Sequence, residues 1–310
     1  MQRLISKAMQ RLRGNKNKNE EPQLGPLTDE IRQQINNLNS VCLFLGPYRN
    51  LTTLTASVLF LHPQCQVLNH AGGRIYSQSE LDFLADYSEE KFINFSHFAL
   101  VMSQGGERGS YGGSIKLAHA FADHDVMSRV YEERYGNALV KDEVLSLVWK
   151  ESNLTSNHLR QNNVDIDQLL AGNKKLRFLM PVRNPMDCAR SNQRTGIKKY
   201  LGEFEEENEL AAILERVMDE MAWVIALAQK HPSRFFYYFQ NELSQDTLRD
   251  MAAFLDVAVD ERWLSDAQKV MEITGGYEHS LAIIETYKKE IEKYFSDMPE
   301  IKTRFEAFLT

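Results

Sequence analysis

Two short segments place a cation and hydroxyl groups where an anion could bind. The first runs from Phe44 to Thr55 and contains Arg49, Thr52 and Thr53. It follows Val41–Leu45, an apolar run that predicts a buried strand, and it leads into a predicted helix. A helix N-terminus offers unpaired N–H groups and partial positive charge, which hydroxyls and a guanidinium would extend into an anion site. The alternative is an ordinary strand–loop–helix turn capped by threonines.

The second segment runs from Val182 to Asn192 and also follows a predicted strand and opens a predicted helix. Arg183 stands at the strand end, and Ser191 lies eight positions further on, inside the helix. An arginine fork and a helical hydroxyl in this arrangement can converge on one phosphate group. A helix-initiating turn at Asn184-Pro185 is the alternative, and it does not require Arg183.

Short apolar runs alternate with amphipathic helices along the chain. The clearest helix is predicted from about residue 206 to 229, with apolar residues at helical spacing. This alternation predicts an α/β fold with a central parallel sheet flanked by helices on both faces. Ligands bind such sheets at the carboxyl ends of the strands, which is where both segments lie. The predicted strands are 41–45, 67–68, 147–150, 176–182 and 234–239.

Length and charge limit the organisation and the partners. The 310 residues suffice for one large α/β domain, predicted at 28–310, after a basic helix and linker at 1–27. Residues 1–13 are expected to pack on the domain or on a partner, with contact to a membrane surface as the alternative. The net charge of −7 argues against a nucleic-acid partner.

The three cysteines, Cys42, Cys65 and Cys188, are far apart and form no C-x-x-C pair. Their odd number and spacing argue against a disulfide framework and against a structural zinc site. A reducing compartment is therefore expected, and we predict a cytoplasmic location.

The two anion-binding segments together resemble sulfotransferases that use 3′-phosphoadenosine-5′-phosphosulfate (PAPS). These enzymes carry Arg or Lys followed by Ser-Gly-Thr/Ser-Thr after the first strand, and this chain has Arg-Asn-Leu-Thr-Thr at 49–53. Their later motif Arg-Asp-Pro-x-Asp-x-x-x-Ser is matched by Arg-Asn-Pro-x-Asp-x-x-x-Ser at 183–191. The resemblance covers roughly residues 40–260. The chain departs from the pattern at Asn50 and Leu51, and the family's C-terminal Arg-Lys-Gly motif is not visible.

The resemblance implies a P-loop-like sulfotransferase architecture, PAPS as the sulfuryl donor and no metal. It also implies a hydroxyl-bearing acceptor, which could be a carbohydrate, a lipid, a peptide or a small molecule. The nucleotide-binding residues that it implies are Arg49, Asn50, Leu51, Thr52, Thr53, Arg183 and Ser191.

Catalytic roles follow from the same resemblance. The strand 147–150 resembles the family strand that ends in Lys-Thr-His or Lys-Thr-Pro, which makes Lys150 a cation near the transferring group, together with Arg49. A surface lysine at a strand end is the alternative. The family's histidine falls on Ser152, so another base is needed. His70 is the first choice, because its pKa suits the task, and His119 and Glu151 are the alternatives.

Two other functional classes stay open at this point. A kinase-like phosphoryl transferase could use the same sheet, although the Walker lysine is missing from the first loop. A non-catalytic nucleotide-binding protein of the same fold is the other alternative. The group His119, Asp123, His124 and Asp125 could suggest a metal, but a polar helix without a ligand is favoured. The glycine-dense segment 105–113 is either a loop over the acceptor site or a surface turn.

Overall fold

The computed structural model describes residues 23–106, 112–118, 121, 123–196, 208–271 and 276–309. The predicted basic helix and most of the linker at 1–27 lie outside these residues, as does His119. The predicted domain boundary at residue 28 therefore stays a prediction.

Six strands form one sheet in the spatial order β3-β2-β4-β1-β5-β6. All neighbouring pairs are parallel except β2 with β3, which is antiparallel. The five parallel strands lie within two residues of the predicted runs, whereas β3 was not predicted, because two residues carry no periodicity. The strands are β1 Ser40–Phe44, β2 Cys65–Asn69, β3 Gly113–Ser114, β4 Ser146–Lys150, β5 Leu176–Val182 and β6 Phe235–Phe239.

The helices that connect and cover these strands begin at conventional start signals. Thr28, Ser88 and Asp165, for example, each accept a backbone N–H of the helix that follows. No helix in the described part of the chain is long and apolar enough to cross a membrane. The helices are α1 Asp29–Asn36, α2 Thr52–Phe60, α3 Gly72–Tyr76, α4 Glu89–Met102, α5 Asp125–Tyr135, α6 Asn153–Gln161, α7 Ile166–Gly172, α8 Pro185–Thr195, α9 Glu209–Lys230, α10 Gln245–Phe254, α11 Glu261–Val270, α12 Leu281–Phe295 and α13 Pro299–Glu306.

Both faces of the sheet are buried under helices, as the apolar strands predict. Along β1, Val41 and Leu43 point into one core cluster, and Cys42 and Phe44 point into the other. The first cluster includes residues of α4, α8, α9 and α12, and the second includes residues of α2, α5, α10 and α11. The prediction of a parallel sheet flanked by helices on both faces is therefore confirmed, with one antiparallel edge strand.

The strand order brings the predicted site segments to one edge of the sheet. Strand β1 lies between β4 and β5, and β2 pairs with the other side of β4. Because these four strands are parallel, the residues that follow their carboxyl ends are neighbours. Those residues are the loop 45–51 after β1, His70 after β2, Glu151 after β4 and Arg183 after β5.

Candidate functional site

The loop after β1 reaches α2 through two left-handed residues. Arg49 has a φ of 65° and Leu51 a φ of 59°, and Leu51 stands at the N-cap of α2 without a side-chain capping bond. Leu51 thus adopts a left-handed conformation that glycine enters readily, at a typical cost of about 1–2 kcal/mol for a residue with a Cβ. Alternating right- and left-handed backbone turns N–H groups toward one side, which suits an anion.

Asn50 joins the loop after β1 to the end of β5. Its fully buried side chain donates from Nδ2 to the Pro181 carbonyl, and its Oδ1 accepts the Arg183 N–H at 2.8 Å. The side-chain amide is therefore engaged in holding the two loops together. Any contribution of Asn50 to an anion site would come from its main chain.

The structure brings together Arg49, Arg183 and Ser191, three of the side chains predicted to hold phosphates. Arg49 Nε donates to Ser191 Oγ at 2.9 Å, and Arg183 Nη1 lies 3.4 Å from the Arg49 carbonyl oxygen. Arg183 Nε is buried and has no hydrogen-bond partner. A buried guanidinium N–H without an acceptor is costly, so this N–H is a candidate donor to a bound group.

Asp187 connects this cluster to a distant part of the chain. One of its oxygens lies 3.9 Å from Arg183 Nη2, and the other accepts the Tyr277 N–H at 3.0 Å and contacts His279 Nε2 at 2.9 Å. The sequence interpretation missed Tyr277 and His279, because they match no motif and lie about ninety positions away.

Lys150 ends β4 with its side chain almost fully buried. Its Nζ lies 3.0 Å from His70 Nε2. Burial, reinforced by the positive charge of Arg49 and opposed by Glu151, lowers the pKa of Lys150 to about 8. Lys150 is therefore still a cation at neutral pH, and it is placed in a low-dielectric setting where a cation acts strongly on an anionic partner.

His70 follows β2 directly, and the end of β4 fixes its backbone. Its N–H donates to the Lys150 carbonyl at 2.9 Å, and its own carbonyl accepts the Trp149 indole N–H. Burial lowers the pKa of His70 below its usual 6.5, although its contact with Glu151 works in the opposite direction. The ring is therefore neutral at physiological pH, which is the state a general base requires.

Glu151 lies next to Lys150 and is almost fully buried. Its Oε2 accepts the Gly72 N–H at 2.8 Å, and its Oε1 lies 3.4 Å from His70 Nδ1. The structure thus brings all three predicted catalytic residues, His70, Lys150 and Arg49, to one edge of the sheet, with Glu151 beside the first two.

Backbone strain is concentrated at this edge. Among the described non-glycine residues, seven have a positive φ, and five of these belong to the site loops. A residue held in such a conformation costs of order 1–3 kcal/mol and persists where the surrounding structure enforces it, often at a functional site. The five are Arg49, Leu51, His70, Ala71 and Ser152.

The remaining candidates from the sequence have separate outcomes. His124 is the N-cap of α5, where its Nδ1 accepts the Met127 N–H at 3.2 Å, so the imidazole has a structural role. Within the described ranges, no group of three or more His, Cys, Asp or Glu side chains is arranged to hold a metal. Of the glycine-dense segment 105–113, Gly113 enters β3, and residues 107–111 lie outside the described part of the chain.

Gly46 is a position where the loop after β1 should tolerate no side chain. Its φ is +95°, and an added Cβ would lie 2.7 Å from the Met180 sulfur. We expect Gly46→Ala to lower the free energy of unfolding by about 2–4 kcal/mol, from backbone strain and overpacking together. Gly196→Ala is the matched control, because its φ is +67° and an added Cβ would have no non-neighbouring atom of the described residues within 4 Å. It should cost only about 1 kcal/mol in urea denaturation, and equal losses would contradict the packing argument.

No protein-family model matches the sequence, and no curated protein matches it either. The chain is similar in structure to several solved sulfotransferases, the family that the sequence resembles. Mouse sulfotransferase SULT7A1, complexed with PAP, aligns at 10% identity and a TM-score of 0.46, over 91% of this chain and 94% of that chain.

Two bacterial structures give comparable values. Sulfotransferase STF9 from Mycobacterium avium aligns at 11% identity and a TM-score of 0.44, over 88% of this chain and 79% of that chain. The sulfotransferase domain of the Synechococcus PCC 7002 olefin synthase aligns at 14% identity and a TM-score of 0.38, over 86% of this chain and 97% of that domain. With TM-scores below 0.5, these likenesses assign no ligand and no residue role.

Proposed function

We propose that this protein is an enzyme that transfers a sulfuryl group from PAPS to a hydroxyl acceptor. The observation that carries the proposal is the convergence of three cations, Arg49, Lys150 and Arg183, on the carboxyl edge of the sheet, next to a neutral imidazole. An anionic donor and a hydroxyl that must lose a proton need these two kinds of group side by side.

The residues present fit a nucleotide with two separate anionic groups. The uncapped N-terminus of α2, with Thr52 at its first position, suits the 5′-phosphosulfate. The unpartnered Nε of Arg183 and the hydroxyl of Ser191 suit the 3′-phosphate. Because Arg49 contacts Ser191 directly, it stands between the two groups and could contact either of them.

The chain's own residues would supply orientation, charge and a base. PAPS supplies the sulfuryl group when bound, and the loop after β1 would hold its 5′ end. Lys150 and Arg49 would stabilise the negative charge on the transferring group, since buried cations act strongly there. His70 would accept the proton of the acceptor hydroxyl as the new oxygen–sulfur bond forms and the bond from sulfur to the 5′-phosphate oxygen breaks, so that adenosine 3′,5′-bisphosphate leaves.

The acceptor and the location of the protein belong to the proposal. A carbohydrate, lipid, peptide or small-molecule hydroxyl would present the same proton to His70. The three cysteines are free and buried, which agrees with the proposed cytoplasmic location.

A thermal-shift comparison of nucleotides tests the kind of donor. Adenosine 3′,5′-bisphosphate should raise the melting temperature without added metal, because a ligand of the native state stabilises it by mass action. ATP should raise it less, with or without magnesium. A larger, magnesium-dependent shift with ATP would favour the phosphoryl transferase instead. A shift with adenosine 3′,5′-bisphosphate but no PAPS turnover with any hydroxyl acceptor would favour the non-catalytic binding protein.

Arg183→Lys tests the assignment of the 3′-phosphate site. The substitution keeps the positive charge but removes the two-pronged donor geometry, so adenosine 3′,5′-bisphosphate should bind more weakly by about 1–3 kcal/mol in calorimetry. Arg177→Lys is a control, because Arg177 lies on β5 away from its carboxyl end. Unchanged affinity in a folded Arg183→Lys variant would make Arg183 a structural residue.

A further inference from the structure

We propose that Glu151 is a positioning residue for His70. It fixes the orientation of the imidazole ring and its tautomer, so that His70 can act as the base. The inference deepens the proposed function and rests on it. It differs from making Glu151 itself the base, because here the carboxylate acts through the imidazole.

Burial and a backbone N–H hold the Glu151 carboxylate in a fixed position beside His70. Its side chain is 4% exposed, and its Oε2 accepts the Gly72 N–H at the start of α3 at 2.8 Å. An added Cβ on Gly72 would lie 2.9 Å from the same oxygen, so glycine allows this close approach. Oε1 is thereby directed toward His70 Nδ1, at 3.4 Å.

This contact selects one tautomer of the ring. A carboxylate only accepts hydrogen bonds, so His70 Nδ1 must carry the proton, and Nε2 is left with a lone pair. Lys150 Nζ, a donor, lies 3.0 Å from Nε2, which agrees with that assignment. The same lone pair is the one that would accept a proton from a hydroxyl, once Lys150 turns toward an anionic group.

The carboxylate also balances the charges around the ring. Lys150 disfavours protonation of His70, and Glu151 favours it. Arg49 adds a further positive charge near Lys150. Without Glu151, the imidazole would lose the contact that favours its protonation and would become a weaker base. Glu151 also offsets the charge of buried Lys150, so its loss should destabilise the charged form of Lys150.

Glu151→Gln is the informative variant, because it keeps the size of the side chain. With its oxygen on the Gly72 N–H, the amide would present an NH₂ group to His70 Nδ1 and remove the acceptor that favours a proton there. We expect kcat to fall about 10–100-fold, the range seen when a carboxylate that orients a metal-bound histidine is lost. The KM for PAPS should stay nearly constant. The acidic limb of the pH–rate profile should move to lower pH, because a group that raises the His70 pKa has been removed.

Nitrogen-15 NMR of the full-length protein gives a readout that needs no acceptor. The His70 signals, assigned with His70→Asn, should show protonated Nδ1 in the wild type and a smaller share of this tautomer in Glu151→Gln, where donors would face both ring nitrogens. Protonated Nε2 in the wild type would overturn the inference. So would a loss of kcat in Glu151→Gln with an unmoved acidic limb, because that result indicates a merely structural role.

Asp82→Asn is the matched control, because Asp82 forms another buried carboxylate–imidazole pair, with His158 at 2.9 Å. It should leave the pH–rate profile and the His70 signals unchanged.

The affinity for adenosine 3′,5′-bisphosphate distinguishes a failure of the proposed function from a failure of the role of Glu151. If the wild type does not bind this nucleotide, the proposed function fails. If it binds and turns over normally in both wild type and Glu151→Gln, only the role of Glu151 is wrong.

Discussion

Replacing His70 by alanine is expected to lower kcat by about 10²–10⁴-fold, the usual contribution of a positioned base. His70 is neutral at physiological pH, and its Nε2 faces Lys150, which lies at the carboxyl edge beside the predicted donor site. Removing the ring leaves the loop after β1, Arg183 and Ser191 unchanged, so nucleotide affinity should stay nearly constant. Turnover can be measured as adenosine 3′,5′-bisphosphate released from PAPS with a panel of phenols, sugars and sterols.

The pH dependence of the wild-type rate follows from the same residue. Burial lowers the pKa of His70 below 6.5, so the ring is neutral above that pH and becomes protonated below it. The rate should therefore rise with pH through a value below 6.5 and then stay level until Lys150 begins to lose its charge. His124→Ala is a suitable control, because His124 caps α5. If His119→Ala abolishes turnover while His70→Ala does not, the base is His119.

Replacing Lys150 by alanine should lower kcat by about 10²–10³-fold, the range seen when one donor to a developing charge is removed. The effect is expected to be large because Lys150 is 5% exposed and little screened by solvent. KM for PAPS should rise less than kcat falls, since the contact strengthens as charge develops. A variant with unchanged kcat would place the transferring group elsewhere.

The pKa of Lys150 predicts how the rate changes at alkaline pH. Its pKa of about 8 means that the side chain is charged below that pH and loses its charge above it. The rate should fall as the pH rises through about 8, and Lys150→Arg should remove this decline, because arginine stays charged. Lys175→Arg is the control. Burial lowers the pKa of Lys175 as well, but it precedes β5 at the opposite edge of the sheet.

The fold could be predicted from the sequence because buried parallel strands appear as continuous apolar runs. Each strand is covered on both faces, so β5 appears as an apolar run whose bounds at 176 and 182 match the prediction. The convergence of the loop 45–51 and Arg183 also followed from the sequence. In a parallel sheet, the ends of the strands are neighbours whatever their separation along the chain.

The finer contacts of the site were not accessible from the sequence. The contact of Arg49 with Ser191 depends on the left-handed backbone at residue 49, which no propensity predicts for arginine. Asp187 on α8 contacts His279 because the chain passes α8 again after it has formed all six strands. Contacts of this kind depend on tertiary packing and carry no local pattern.

The most direct test of the proposed donor is calorimetric titration with adenosine 3′,5′-bisphosphate and with adenosine 5′-monophosphate, both without metal. Two anion-binding loops at one edge of the sheet predict that loss of the 3′-phosphate weakens binding at least about tenfold, since a hydrogen bond to a charged group contributes roughly 1.5–3 kcal/mol. The 3′-phosphate preference should shrink in Arg183→Lys. Equal affinity of the wild type for the two nucleotides would contradict the assignment of Arg183 and Ser191, and with it the proposal that PAPS is the donor.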